Sequence, residues 1–268
     1  MNFFIQSAIV SGVRGRSFQA IFILGVLLVG TAYLAAQFSP RQPQAVALDV
    51  GISGMRFTGF LLALFWVQEL LGREIERKTA ILMLAYPISR AYYLMGRFLG
   101  IAVLLGLSIL TFALLLVIVT SHAGGGYVAM RAVALGGPYW AAILGLYLDI
   151  LVVTAFAVCL TALSTVLILP LAMGAAFAVI THALGPVLDF LVARQGDGDT
   201  ELVVRFGPAV RVVRWLLPDL SRLDWRDWPM YQLPPEPSGL FWSVVMAIAF
   251  IGLLMVFAVT VFRRREFS

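Results

Sequence analysis

Six stretches of predominantly apolar residues, 18–36, 52–71, 98–120, 138–160, 166–188 and 239–262, are each long enough to cross a lipid bilayer as one helix. About 20 such residues cover the roughly 30 Å hydrocarbon core, where every backbone amide must find its partner inside its own segment. The expected fold is therefore all-α: a polytopic membrane protein whose 268 residues form a single transmembrane domain with six helices. The composition agrees, because 61% of the residues are hydrophobic and only 12% are charged, against about a quarter charged in soluble domains.

The first stretch follows Arg14 and Arg16, as a signal peptide would. Its length of about 19 residues exceeds an h-region of 7–15, and no small-residue cleavage pattern follows before Gln37, so it reads as a retained helix. Six spans put both termini on one side. Ten of the nineteen basic residues lie in the two terminal flanks and in the loop 72–97, and the other nine are spread over much longer connections. Density of Lys and Arg therefore places both termini and the loop 72–97 in the cytoplasm, with a bacterial inner membrane as the expected location.

The single cysteine, Cys159, excludes an internal disulfide, and two histidines, His122 and His182, are too few for a Cys/His metal site. The net charge of +5 is accounted for by arginines that anchor loops, which removes nucleic acid as an expected partner.

The connection between the third and fourth spans, 121–137, carries Gly124-Gly125-Gly126 and Gly136-Gly137 and reads as a flexible connector. The connection 189–238 is longer and mixes six arginines with eight acids. Within it, 208–217 reads as a short helix on the outer membrane surface, started by Pro208 and stopped by Pro218. Trp215, Trp225, Trp228 and Tyr231 supply rings that favour the headgroup level. The segment reads as an anchored lid or as a docking surface for an extracytoplasmic partner protein.

Charge crowds the end of the second span, at Glu69, Arg73, Glu74, Glu76, Arg77 and Lys78, and a short apolar run, 80–85, leads to Pro87. Proline pushes Tyr86 toward an extended conformation, and Ser89 is placed to cap the next helix. The spacing predicts a short cytoplasmic helix held between two spans, suited to transmit force from a cytoplasmic partner.

The order of an acidic and basic cluster, a Thr, an apolar helix, Pro87-Ile88-Ser89-Arg90 and a basic residue opening the third span resembles the permease subunits of ABC-2 type transporters. The similarity is densest over 69–100, and extends to the Leu217-Pro218-Asp219 step and the Phe262-Arg263-Arg264-Arg265-Glu266-Phe267 ending. The subgroup it most resembles is that of the nitrous-oxide reductase maturation permease. Many members have Gly-Thr where this chain has Lys78-Thr79.

The resemblance implies a permease that forms a translocation path as a dimer, most simply a homodimer in membrane lipid. It also implies a separate ATP-binding cassette ATPase subunit that holds the ATP and Mg, so this chain carries no cofactor and is not itself an enzyme. Carried over by position, Glu74, Glu76, Arg77, Lys78 and Thr79 become the residues facing that ATPase, and Pro87, Ser89 and Arg90 the hinge into the third span.

Other signals are weaker. The run from Gly72 to Thr79 nearly fits a phosphate loop, but Arg77 stands where the loop needs glycine, and Glu74 and Glu76 repel phosphate. Gly51-Ile52-Ser53-Gly54 is similar to the GxSG of rhomboid proteases, yet a nucleophilic serine needs a base, and only His122 and His182 are available. Asp149 lies mid-span, where a carboxylate is expensive and is usually functional or paired. It reads as a packing residue satisfied by Tyr147, Thr154 or another helix, as part of a cargo path, or as a proton-coupling group. Arg56 reads as an anchor that snorkels to the interface, and His182 as a packing residue near a kink at Gly185-Pro186. Pro170 reads as a break in the fifth span. Two other functions stay open: an ion-coupled secondary transporter using Asp149, and a membrane scaffold that holds an assembly complex through 189–238.

Overall fold

The computed structural model describes residues 12, 15–39, 41–76, 89–123, 133–164, 166, 168–195 and 217–264. Every regular element among them is helical. Helix α1 is Arg16–Gln37. Helix α2, Pro43–Val67, runs on through a π-helical turn, Gln68–Gly72, into the short α3, Arg73–Glu76. Then come α4, Arg90–His122, α5, Gly137–Leu163, and α6, Ile168–Gln195. A 3-10 turn, Leu220–Leu223, and α7, Asp227–Tyr231, precede α8, Pro237–Arg264. Among the described residues six helices are long and apolar enough to span a membrane, with α2 and α3 counting as one. The chain is a multi-pass helical membrane protein.

The second, third, fourth and sixth spans overrun the apolar stretches at both ends, most of all the second, which covers 34 residues. Charge does not end a helix that has left the hydrocarbon core. Arg73 Nη1 donates to Glu69 Oε1 at 2.6 Å one turn earlier, an i,i+4 pair that supports continued helix. At the other end, α2 begins at Pro43, with the proline in the first turn where no amide is missed. Its start lies nine residues before the expected 52. Helix α6 also runs past the expected end at 188, to Gln195.

Ser89 caps α4 as its sequence context suggests, its Oγ accepting the Tyr92 N–H at 3.3 Å. Pro170 is no break: it sits in the first turn of α6, and the proline inside that helix is Pro186. Of the expected cytoplasmic helix, 74–85, residues 74–76 are helical as part of α3 and 77–85 lie outside the described residues, as do 208–216 of the expected surface helix. Leu217, which was to close that helix, is not helical.

Helix α5 is the centre of the bundle and packs against α2, α4, α6 and α8. Small residues let the backbones approach, as expected for helices with no hydrophobic force between them in lipid. A Cβ on Gly59 would collide with Ile150, and one on Gly51 with Leu116. Aromatic pairs fill the wider gaps, with Phe156 and Phe177 stacked at 4.0 Å between centroids and Phe22 and Phe112 tilted at 4.9 Å.

The segment 217–231 does not lie flat on a membrane surface. Leu220, Leu223, Trp225 and Met230 are buried in one end of the bundle. The Leu223 carbonyl and the Trp225 ring rest on Gly145, and the Ser221 side chain rests on Gly185, both at distances that leave no space for a Cβ. Ala134 N–H donates to the Pro229 carbonyl at 3.0 Å, and the left-handed Gln232 (φ 55°) ends α7. Trp225 is thus a core residue whose Nε1 donates to the Arg222 carbonyl at 2.8 Å, whereas Tyr231 stays exposed. This segment is a plug seated between α2, α5 and α6.

Candidate functional site

Asp49, Ser53 and Arg56 recur at helical spacing and share one face of α2. Arg56 lies about 20 Å along the helix from Pro43, and Asp149 about 18 Å along α5 from Gly137, so both are deep in their spans. His182 comes from α6, one turn before Gly185-Pro186. The plug adds Asp224 and Arg226 from above.

These side chains form one unbroken series. Asp149 Oδ2 is 3.0 Å from His182 Nε2 and 3.5 Å from Arg56 Nε. Arg56 Nη1 donates to Asp224 Oδ2 at 2.9 Å. Arg226 Nε donates to both Asp224 oxygens at 2.9 Å, and its Nη1 donates to Asp49 Oδ1 at 2.7 Å and to Ser53 Oγ at 3.1 Å. Cations and carboxylates alternate from the plug to the middle of the bundle, which is how ionised groups survive where water is scarce.

Burial is deepest at the Asp149 end. Asp149 is 1% exposed, and its Oδ1 has no hydrogen-bond partner among the described residues, nor has Arg56 Nε. Neither Tyr147 nor Thr154 satisfies the carboxylate. Their hydroxyls donate instead to the carbonyls of Ala102 and Ile150. The second ring nitrogen of His182, Nδ1, is 2.8 Å from the Ala178 carbonyl, and the Phe60 ring stands edge-on to it at 5.6 Å. Arg56 is no interface anchor: its side chain is 14% exposed and turned inward.

At the plug end, burial alone would push the Asp224 carboxyl up. Hydrogen bonds and charge from Arg56 and Arg226 outweigh that and hold it down, from 3.8 to about 2. The Arg226 guanidinium is raised, because its bonds to Asp224 and Asp49 outweigh the burial that opposes its charge.

Beside this series a cavity of about 480 Å³ opens between α2 and α6. Its walls are apolar, among them Phe57, Phe60, Leu64 and Val179, and Arg56 and His182 are its polar members. Asp149 lies behind them and does not line it.

A second polar centre sits about 27 Å further along α2 and α3 from Arg56. Arg97 of α4, 1% exposed, donates to Glu74 Oε1, and the Tyr93 hydroxyl donates to Glu74 Oε2 at 2.5 Å. Arg97 also lies over the Tyr93 ring, 5.8 Å from its centroid. Arg90 Nη1 donates to the carbonyls of Phe262 (3.3 Å) and Arg263 (3.0 Å), the end of α8 where a cation meets the helix dipole favourably.

Of the residues singled out in the sequence, Glu74 and Arg90 thus belong to this second centre, Ser89 caps α4, and Glu76 is exposed at the end of α3. Asp149 belongs to the first. Arg77, Lys78, Thr79 and Pro87 lie outside the described residues. Sequence reasoning missed Asp49, Asp224 and Arg226 and misjudged Arg56 and His182. The one signal available was the Asp49, Ser53, Arg56 stripe, which is legible only once 43–51 is read as helix.

The arrangement also bears on the two enzyme-like motifs. Ser53 accepts a hydrogen bond from Arg226 while His182 is engaged with Asp149, so Ser53 and His182 do not form a pair. Gly72 is buried in the π turn and 73–76 are helical, so this part of the near phosphate loop is not a loop. No group of three or more His, Cys, Asp or Glu side chains among the described residues could hold a metal ion.

Fold and site together define a helical membrane protein with six spans among the described residues and a series of ionisable side chains buried in its bundle. No protein-family model and no curated protein matches the sequence.

Proposed function

We propose that the chain is the membrane-spanning permease subunit of an ABC-2 type ATP-binding cassette transporter, paired with a second copy and driven by a separate ATPase subunit. The observation that carries this reading is the tie of Glu74 to Arg97 and Tyr93. It joins the end of α3 to the start of α4 on either side of 77–88, the segment that in this reading meets the ATPase. Force applied to that segment then acts on the second and third spans as one body. Arg90, bonded to the last carbonyls of α8, extends the same body to the sixth span. ATP and Mg belong to the ATPase subunit, and both termini share its side of a bacterial inner membrane.

The test is crosslinking in the assembled complex. Single cysteines at Glu76 and at Ser221, each in a Cys159→Ala chain, lie at opposite ends of the bundle. The cysteine at 76 is expected to crosslink to the ATPase and the one at 221 is not. Crosslinking from 221 alone reverses the orientation, and none from either position removes the ATPase from the account.

One observation favours a second reading, an ion-coupled secondary transporter: Asp149, His182 and Arg56 meet at mid-span, where ionisable residues mark proton and ion pathways. Gradient-driven transport by the purified chain without ATP distinguishes it.

A further inference from the structure

We propose that Asp149 and His182 together bind one exchangeable proton, and that losing it loosens the plug by drawing Arg56 away from Asp224. The inference does not depend on the permease reading.

The proton follows from hydrogen-bond chemistry. The Ala178 carbonyl can only accept, so His182 Nδ1, 2.8 Å away, carries a hydrogen. Nε2 faces Asp149 Oδ2 at 3.0 Å. If Nε2 and the carboxylate both lacked a proton, two acceptors would meet at hydrogen-bond distance in a buried site. One proton therefore sits between them, whether it resides on the imidazole or on the carboxyl. His182 lines the cavity beside α2 and α6 and Asp149 does not, so the proton exchanges with the cavity through the imidazole.

The charge balance gives it a consequence. The charged groups facing the pair are Arg56 on α2 and, through Arg56, Asp224 and Arg226 on the plug and Asp49 on α2. Three carboxylates, two guanidinium groups and one proton sum to zero. When the proton leaves to water, Asp149 is a bare carboxylate facing the Nε2 lone pair, without a donor from His182. The nearest replacement is Arg56 Nε, 3.5 Å from Oδ2, and among the described residues neither it nor Asp149 Oδ1 has a hydrogen-bond partner. A guanidinium that closes on Asp149 gives up Asp224, whose other partner, Arg226, is on the plug itself, so of the polar ties to α2 the plug keeps those of Arg226 to Asp49 and Ser53.

The experiment labels a single cysteine at Ser221, in the full-length Cys159→Ala chain in nanodiscs, with a water-soluble thiol reagent. Rates are divided by that of the unfolded chain at each pH, which removes the thiol's own titration. Between about pH 5 and about pH 9 the ratio is expected to rise about tenfold in one step, the factor set by one charge-assisted hydrogen bond. His182→Gln is expected to abolish the step, and Asp149→Asn to hold the plug protected at every pH because Arg56 then serves Asp224 alone. His122→Gln is expected to keep the step, since His122 contacts Ile118 and Ser121 far from the pair. A ratio flat with pH in the parent chain overturns the proposal. So does a step that survives in His182→Gln, or in Asp149→Asn should the first variant not fold.

Discussion

Arg56 and Asp224 are 168 residues apart in sequence and 2.9 Å apart in space, and their contact fastens the plug to the middle of a membrane-spanning helix. A plug held only by its apolar side chains would report on the solvent around it. One held by Arg56 also reports on the interior of the bundle.

That contact sets the acid behaviour of the plug. The Asp224 carboxyl is held down from 3.8 to about 2. A group whose folded value lies below its unfolded one contributes stability that is complete above the unfolded value and is lost as pH falls through the folded one. The contribution, about 2 kcal/mol, is therefore expected to be full above about pH 4 and gone below about pH 2. Hydrogen exchange over 217–231, corrected for intrinsic rates, should show protection falling across that interval. In Asp224→Asn the plug should be less protected at neutral pH and show a smaller acid step.

The seat of the plug can be tested without touching charge. Gly145→Ala puts a Cβ against the Leu223 carbonyl and Trp225, a backbone atom and a ring that cannot both retreat. Overpacking of this kind costs about 1–3 kcal/mol. The expected outcome is a plug partly displaced, seen as Trp225 more accessible to a soluble quencher in a chain whose other tryptophans are replaced. Gly30→Ala meets nothing within 4 Å and should be neutral or stabilising by up to about 1 kcal/mol.

At the opposite end, Glu74→Ala leaves the Arg97 guanidinium buried without its carboxylate. Removing one partner of a buried pair costs about 3–5 kcal/mol, while removing both with apolar replacements costs less. Thermal unfolding in detergent should therefore place Glu74→Ala below the double variant Glu74→Leu, Arg97→Met. Equal or additive losses would show that the two side chains do not act as a pair.

Ser89→Ala removes the hydroxyl that accepts the Tyr92 N–H. The loss of about 1 kcal/mol should appear as faster exchange in the first turn of α4, with the rest of that helix unchanged.

The six spans were legible because about 20 apolar residues in a row leave a chain few alternatives. Their ends were not, because an end is decided by whether charges find partners. The apolar stretch places the start of the second span at 52, yet Asp49 is a helical residue paired with Arg226. The error propagated to Arg56, which seemed to lie close to an interface and so to snorkel, when it is about 20 Å inside its helix. Asp149 was recognisable alone, since a mid-span carboxylate demands a partner. That the partners are His182 and Arg56 depends on how three helices face one another, which no local pattern encodes.

The π turn at Gln68–Gly72 has a bearing on how the two polar centres are aimed. In an uninterrupted α-helix the 18 positions from Arg56 to Glu74 make about five full turns, and both side chains would point the same way. An i→i+5 turn takes up one more residue than an α turn and rephases everything after it by about one residue's rotation, about 100°. Glu74 thereby looks toward Arg97 while Arg56 looks toward Asp149. The extra residue works as a swivel set once in the chain: winding the turn as α-helix at unchanged length would bring Glu74 onto the azimuth of Arg56 and off its partner on α4, whereas deleting the extra residue would keep Glu74 aimed at Arg97.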